Sequence, residues 1–131
     1  MNILETCLYV HDLLEAEAFY CGLLGFEVHS RRLPRHVFLK AGNGMLLLFN
    51  PEESLRPGTL PTHGVRPGGH VCFEMEQDRL DFWEARLEVA GFEVTRYSWG
   101  GLKGDSLLFY DPSGNLVELA SRGLWGLDSL Q

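Results

Sequence analysis

Gly25-Phe26-Glu27-Val28 recurs 66 residues later as Gly91-Phe92-Glu93-Val94, in a chain of 131 residues. Each copy closes a helix-like stretch, and that stretch follows a strand-like one. A tetrapeptide repeated at the same place in two similar units indicates a duplicated module. Two such modules predict a pseudo-symmetric body with a cleft between the halves.

Working outward, Ile3–Val10 reads as a strand. Asp12 is placed to cap a helix, with Glu15 completing a capping box. Ala16, Phe19, Tyr20, Leu23 and Leu24 follow at the spacing of one apolar helix face. Gly25 stands where a left-handed residue ends the helix. Phe26–Arg31, His36–Ala41 and Met45–Asn50 read as strands, the last two joined through Gly42-Asn43-Gly44.

The second half repeats this order. Gly69–Met75 is a strand and Asp78 is the expected helix cap. Leu80, Trp83, Leu87 and Ala90 form the apolar face, and Gly91 stops the helix. Phe92–Ser98, Ser106–Tyr110 and Leu116–Ser121 are the remaining strands. Asp111-Pro112-Ser113-Gly114 makes a tight turn.

The expected fold is therefore α+β. Two βαβββ modules, about 3–50 and 69–121, form a curled mixed sheet with helices on its outer face, in one domain spanning 1–131. Residues 51–68 carry four prolines and three glycines and read as a structureless link, a crossover or binding loop. Trp99–Asp105 is a second irregular stretch. The tail, 122–131, holds Leu124, Trp125, Leu127 and Leu130 and is apolar enough to pack on the body or on a partner subunit.

Composition narrows the partners. A net charge of −7 speaks against nucleic acid and anionic membrane. No apolar run approaches the roughly 20 residues needed to cross a bilayer. The N-terminus enters a strand without a leader pattern, so a cytoplasmic protein is expected. Cys7, Cys21 and Cys72 are odd in number and form no C-x-x-C pair. Buried reduced thiols are the expectation.

Strand alternation places the polar residues. Glu5, Cys7 and Tyr9 share one face of the first strand; His70, Cys72 and Glu74 share one face of the fifth; Glu118 lies on the corresponding face of the eighth. The more apolar faces belong against the helices, which turns Glu5, His70 and Glu118 toward the cleft. Two carboxylates within about 5 Å repel by roughly 3 kcal/mol at an effective dielectric near 20. A divalent cation, a shared proton or a wider separation would relieve this. By alternation alone the three remain either metal ligands or separately solvated polar residues.

The βαβββ duplication, Val10-x-Asp12-Leu13 leading into Phe19-Tyr20, Leu23-Leu24-Gly25-Phe26, Gly69-His70-Val71 and Phe109-Tyr110-Asp111-Pro112-Ser113-Gly114-Asn115-Leu116-Val117-Glu118-Leu119 together resemble the vicinal oxygen chelate superfamily. That superfamily includes glyoxalase I, bleomycin-resistance proteins, fosfomycin-resistance enzymes, methylmalonyl-CoA epimerase and extradiol dioxygenases. The resemblance covers about Ile3 to Ser121. It implies paired modules often completed in a homodimer, and metal ligands at Glu5, seven residues before Asp12, at His70 and at Glu118.

The departures from that pattern shape the expected chemistry. Glu5 stands where His is common, and one imidazole with two carboxylates suits Mn, Ni, Zn or Mg better than Fe. The fourth strand offers Met45-Leu46-Leu47-Leu48-Phe49 and no fourth ligand of the glyoxalase I or epimerase kind. An open metal with three protein ligands is closer to the fosfomycin-resistance enzymes. Ser106 matches them; Leu108 stands in place of their Tyr, and the tail has no evident phosphonate-binding Arg.

The resulting expectation is a metal-dependent isomerase, lyase or thiol transferase acting on a small oxygen-rich substrate. Lewis-acid stabilisation of an enediolate or alkoxide would drive it. Glu5 and His63 are the candidate acid–base residues. Tyr9, His36 (with its neighbour Arg35), Lys103 and Ser106 are the candidate substrate contacts. The alternative is a metal-free binding protein of the bleomycin-resistance type, with Trp83, Trp99 and Trp125 rimming a groove between subunits.

Overall fold

The computed structural model describes residues 1–127. The chain divides into two compact units, Met1–Gly69 with Asp111–Asn115, and His70–Tyr110 with Leu116 onward. Each unit is built on one four-stranded mixed sheet, and neither sheet closes into a barrel.

In the first unit, β1 (Glu5–Tyr9), β2 (Glu27–Arg32), β3 (His36–Ala41) and β4 (Gly44–Phe49) stand in the order β1-β4-β3-β2. β1 pairs parallel with β4, and the other pairs are antiparallel. Alternation decides the burial: Leu8 and Val10 are buried while Glu5 and Cys7 are exposed. α1 (Leu13–Glu17) packs on β3 and β4. Asp12 caps it as expected, its carboxylate accepting the Glu15 N–H at 3.0 Å. The helix does not continue as α. Ala18–Leu23 widens into a π-helical turn, with Leu24 N–H reaching the Phe19 carbonyl. The 3-4 spacing of the apolar residues does not separate that winding from an α-helix, because both keep Phe19 and Tyr20 inward. Gly25 ends the turn at φ +86°.

The linker is not structureless. Pro51–Ser54 forms a helical turn, α2, with Pro at its start and Asn50 capping through its side chain to the Glu52 N–H.

The second unit repeats the topology. β5 (His70–Glu74), β6 (Thr95–Ser98), β7 (Asp105–Tyr110) and β8 (Leu116–Ala120) stand in the order β5-β8-β7-β6, and β5 pairs parallel with β8. α3 (Leu80–Val89) packs on β7. Leu80 and Leu87 are fully buried, each contributing roughly 1.5–3 kcal/mol. Two expectations fail here. Asp78 does not cap α3; it lies in a 3₁₀ turn, Gln77–Arg79, that leads into the helix. Ala90 is exposed, so the apolar face ends at Leu87.

The turn Asp111–Asn115 belongs to the first unit and is tied there by side chains. The Tyr20 hydroxyl donates to Asp111 at 2.8 Å, and the Asn115 amide donates to the Tyr9 carbonyl at 2.9 Å and to Asp111. Asn115 Oδ1 accepts the N–H groups of Gly68 and Gly69. Ser113 Oγ accepts the His11 N–H. Burial and the Asp111 carboxylate push the Tyr20 phenol far above its ordinary value, so it remains a donor.

The cysteines are free but not buried: Cys7 and Cys72 are exposed and Cys21 is half-buried. The tail makes a 3₁₀ turn at Arg122–Trp125 that contacts another at Gly101–Lys103. Leu124 is half-buried, whereas Trp125 and Leu127 are exposed. Leu130 lies outside the described residues. Among the described residues no helix is long and apolar enough to cross a membrane.

Candidate metal centre

β8 runs between β5 and β7, and this central place brings together three of the expected residues. Glu118 is 8% exposed. One of its oxygens, Oε1, stands 3.3 Å from His70 Nε2. The other, Oε2, accepts a 2.6 Å hydrogen bond from the Ser106 hydroxyl. Ser106 is fully buried and in turn accepts the Trp99 indole N–H at 2.8 Å. The order Trp99, Ser106, Glu118, His70 is thus one connected line of polar atoms. A hydrogen bond to a carboxylate contributes about 1.5–3 kcal/mol, and this one also fixes the rotation of Glu118.

The His70 ring is fixed from its other side. Nδ1 stands 3.0 Å from the Leu116 carbonyl, which can only accept, so Nδ1 carries a hydrogen. In the neutral ring Nε2 is then bare and faces a carboxylate oxygen. A proton on either group, a bridging water or a cation between them would relieve the repulsion of these lone pairs. A ring whose far nitrogen donates to a backbone carbonyl, beside a carboxylate braced by a hydroxyl, is the outer-shell arrangement of metal-ligating His and Glu. The donor set therefore fits a hard or borderline divalent cation.

Cys72 faces Glu118 across the β5–β8 ladder. Although the residue as a whole is exposed, desolvation of its sulfur and then the Glu118 charge push its thiol up to about 12.

The remaining expected residues lie in the first unit, except Lys103. Glu5 opens β1, exposed and opposite Met45. Tyr9 and His63 are joined, the hydroxyl 2.7 Å from Nδ1. Both rings also pack on Phe49. Burial, followed by Cys7, raises the Tyr9 phenol. His36 is buried, stacks on Phe38 with ring centroids 3.8 Å apart, and accepts an N–H of Arg35 at Nδ1, 2.8 Å away. Burial, then Arg35 and Arg32, hold its pKa down. Lys103 is exposed on the 101–103 turn. Among the described residues, no group of three or more His, Cys, Asp or Glu side chains is spaced to hold a metal ion. Sequence reasoning missed Trp99 as a partner of Ser106. No local sequence signal marks it, since the contact follows from the pairing of Tyr97 with Ser106 across two strands.

Comparison with known proteins decides the family. A sequence model described as Glyoxalase/Bleomycin resistance protein/Dioxygenase superfamily matches residues 2–119. The chain belongs to that superfamily.

Within the superfamily, the chain is 39% identical to a solved structure from Agrobacterium tumefaciens described as lactoylglutathione lyase. The match has a TM-score of 0.91 and covers 97% of this chain and 98% of that one. It is 33% identical to a mitochondrial methylmalonyl-CoA epimerase from Bos taurus, over 84% of this chain and 68% of the epimerase. It is 32% identical to a metallothiol transferase, FosB, from Bacillus licheniformis, over 59% of this chain and 48% of that protein.

Proposed function

We propose that this superfamily member is a metal-dependent enzyme acting on a small oxygen-rich substrate as an isomerase, lyase or thiol transferase. The observation that carries the proposal is the 3.3 Å approach of His70 Nε2 to Glu118 Oε1, with the outer atoms of both groups already engaged. His70 and Glu118 hold a divalent cation, with Glu5 of a second copy as the third donor. Mn, Ni, Zn or Mg suits this set better than Fe. When bound, the cation supplies Lewis-acid polarisation of substrate oxygens.

The chain's own residues do the rest. Ser106, held by Trp99, keeps Glu118 in one orientation. The Leu116 carbonyl keeps His70 in the tautomer whose Nε2 is free. Tyr9, raised in pKa, stays protonated and donates to His63 Nδ1. His63 and Glu5 are the acid–base residues that move the substrate proton. His36 with Arg35, and Lys103, meet the anionic parts of the substrate. The protein acts as a cytoplasmic homodimer.

The relatives' names support this class, since they describe a lyase, an epimerase and a metallothiol transferase. A second reading, a metal-free small-molecule binder, is favoured by the want of a three-residue ligand group among the described residues. Elemental analysis of untagged protein, with thermal melting before and after a chelator, separates the two. Stoichiometric metal and a chelator-induced fall in melting temperature are expected. No bound metal and an unmoved melting curve would leave the binder. Glu118→Ala should abolish metal uptake with the fold intact. A screen of α-hydroxyketones, thiol adducts and epoxides against metal-loaded protein then identifies the substrate.

A further inference from the structure

The first unit contains a basic cavity that shares only Arg35 with the proposed substrate contacts. It measures about 370 Å³ and is lined by Arg32, Arg35, Arg56, Glu53, Ser54 and the segment 57–61. Three arginines therefore line one cavity in a chain of net charge −7. The acidic lining residue, Glu53, engages Arg56 at 3.5 Å. Arg35 lies over the Phe49 ring, 5.1 Å from its centroid, and its backbone N–H donates to the Arg32 carbonyl, closing the β2–β3 turn that both arginines bracket. The field of Arg32 and Arg35 is felt next door, where it helps hold down the His36 titration.

A second, independent observation lies in the same wall. Ser54 is 3% exposed, and its hydroxyl finds no hydrogen-bond partner. Buried hydroxyls are almost always paired, so an orphan calls for an explanation. With Glu53 matched by Arg56, Arg32 and Arg35 leave this wall with an excess of positive charge that an anion would offset. One ligand resolves both. An oxyanion gives the arginines acceptors for their forked N–H groups and gives the Ser54 hydroxyl an acceptor.

We propose that this cavity is a binding site for a compact phosphate group, carried by a free phosphate or by the phosphate end of a larger molecule. Phosphate fits better than carboxylate because five donor-bearing side chains, Arg32, Arg35, Ser54, Arg56 and Thr59, line the space, and phosphate presents more acceptor oxygens to satisfy them. The site is independent of the His70–Glu118 centre, and its test does not need metal.

The experiment is calorimetric titration of the full-length, chelator-treated protein with inorganic phosphate, pyrophosphate and succinate. Saturable one-to-one phosphate binding is expected, about tenfold weaker in Arg32→Gln and unchanged in Arg79→Gln. Stronger binding of pyrophosphate indicates the phosphate end of a larger molecule; equal or weaker binding indicates free phosphate; both support the site. Ser54→Ala should weaken phosphate binding while leaving the unliganded melting temperature level or higher, because it removes an unpaired polar group. Phosphate should also raise the titration of His36, followed by NMR, by neutralising its arginine neighbours. If Arg35→Gln does not fold, Arg32→Gln and Ser54→Ala carry the test. The proposal is overturned by absent saturable binding, by equal loss in Arg79→Gln and Arg32→Gln, or by succinate binding without phosphate. A Ser54→Ala that lowers the unliganded melting temperature without touching affinity also overturns it, since the hydroxyl would then be structural.

Discussion

His70 donates through Nδ1 to the carbonyl oxygen of Leu116 at 3.0 Å, one strand away. That bond leaves Nε2 as the atom that meets Glu118. In long-range proton–nitrogen NMR of metal-free protein above neutral pH, His70 should appear as the Nδ1–H tautomer. Addition of zinc should move Nε2 and leave Nδ1 protonated. A metal response at Nδ1, or none at either nitrogen, would remove His70 from the ligand set.

Ser106→Ala tests the support of Glu118. The change orphans one oxygen of a buried carboxylate and the Trp99 indole N–H. It should cost about 1–3 kcal/mol, or about 3–10 °C in melting temperature. Trp99 fluorescence should shift toward that of a hydrated indole. A variant with unchanged melting and emission would show that the Trp99–Ser106–Glu118 line carries no energy.

Asn115→Ala should be more severe. One side chain holds the Tyr9 carbonyl, the Asp111 carboxylate and the N–H groups of Gly68 and Gly69. Losing it leaves several buried groups without partners, at roughly 3 kcal/mol or more. Urea denaturation measures this directly, and a midpoint within experimental scatter of the parent would contradict it.

His36 gives the pH dependence. Its folded-state pKa lies below the ordinary 6.5, through burial first and then Arg35 and Arg32. The unfolded chain therefore takes the proton more readily. The contribution of His36 to stability is complete above 6.5 and drains away as pH falls from there through the lower folded value. An NMR titration of the His36 ring should place its midpoint below 6.5 and move it upward in Arg35→Gln. A parent midpoint at or above the ordinary value would refute the assignment.

Much of the fold could be read from local chemistry. Gly25 and Gly91 both adopt positive φ after their helices, and alternation placed Leu8, Val10, Val117 and Leu119 inward. Local chemistry was a poorer guide where several windings satisfy one pattern, as in the π-helical turn 18–23. It failed where a cap residue competes with a preceding 3₁₀ turn, as at Asp78. At the candidate site, periodicity found the side of the strand on which His70 and Glu118 lie, since that depends only on parity. The bracing of Glu118 by Ser106 and Trp99 depends on strand pairing between distant segments, and parity carries no information about that.

The turn 111–115 has a consequence for how the gene could be cut. The sequence repeat invites division after Gly69, as though each half were autonomous. A polypeptide ending there would lack Asp111 to receive the Tyr20 hydroxyl and Asn115 to cover the Tyr9 carbonyl. The two copies have ceased to be interchangeable parts: the earlier one completes its own interior with five residues borrowed from the later one. Split halves should therefore regain the native fold only when produced together.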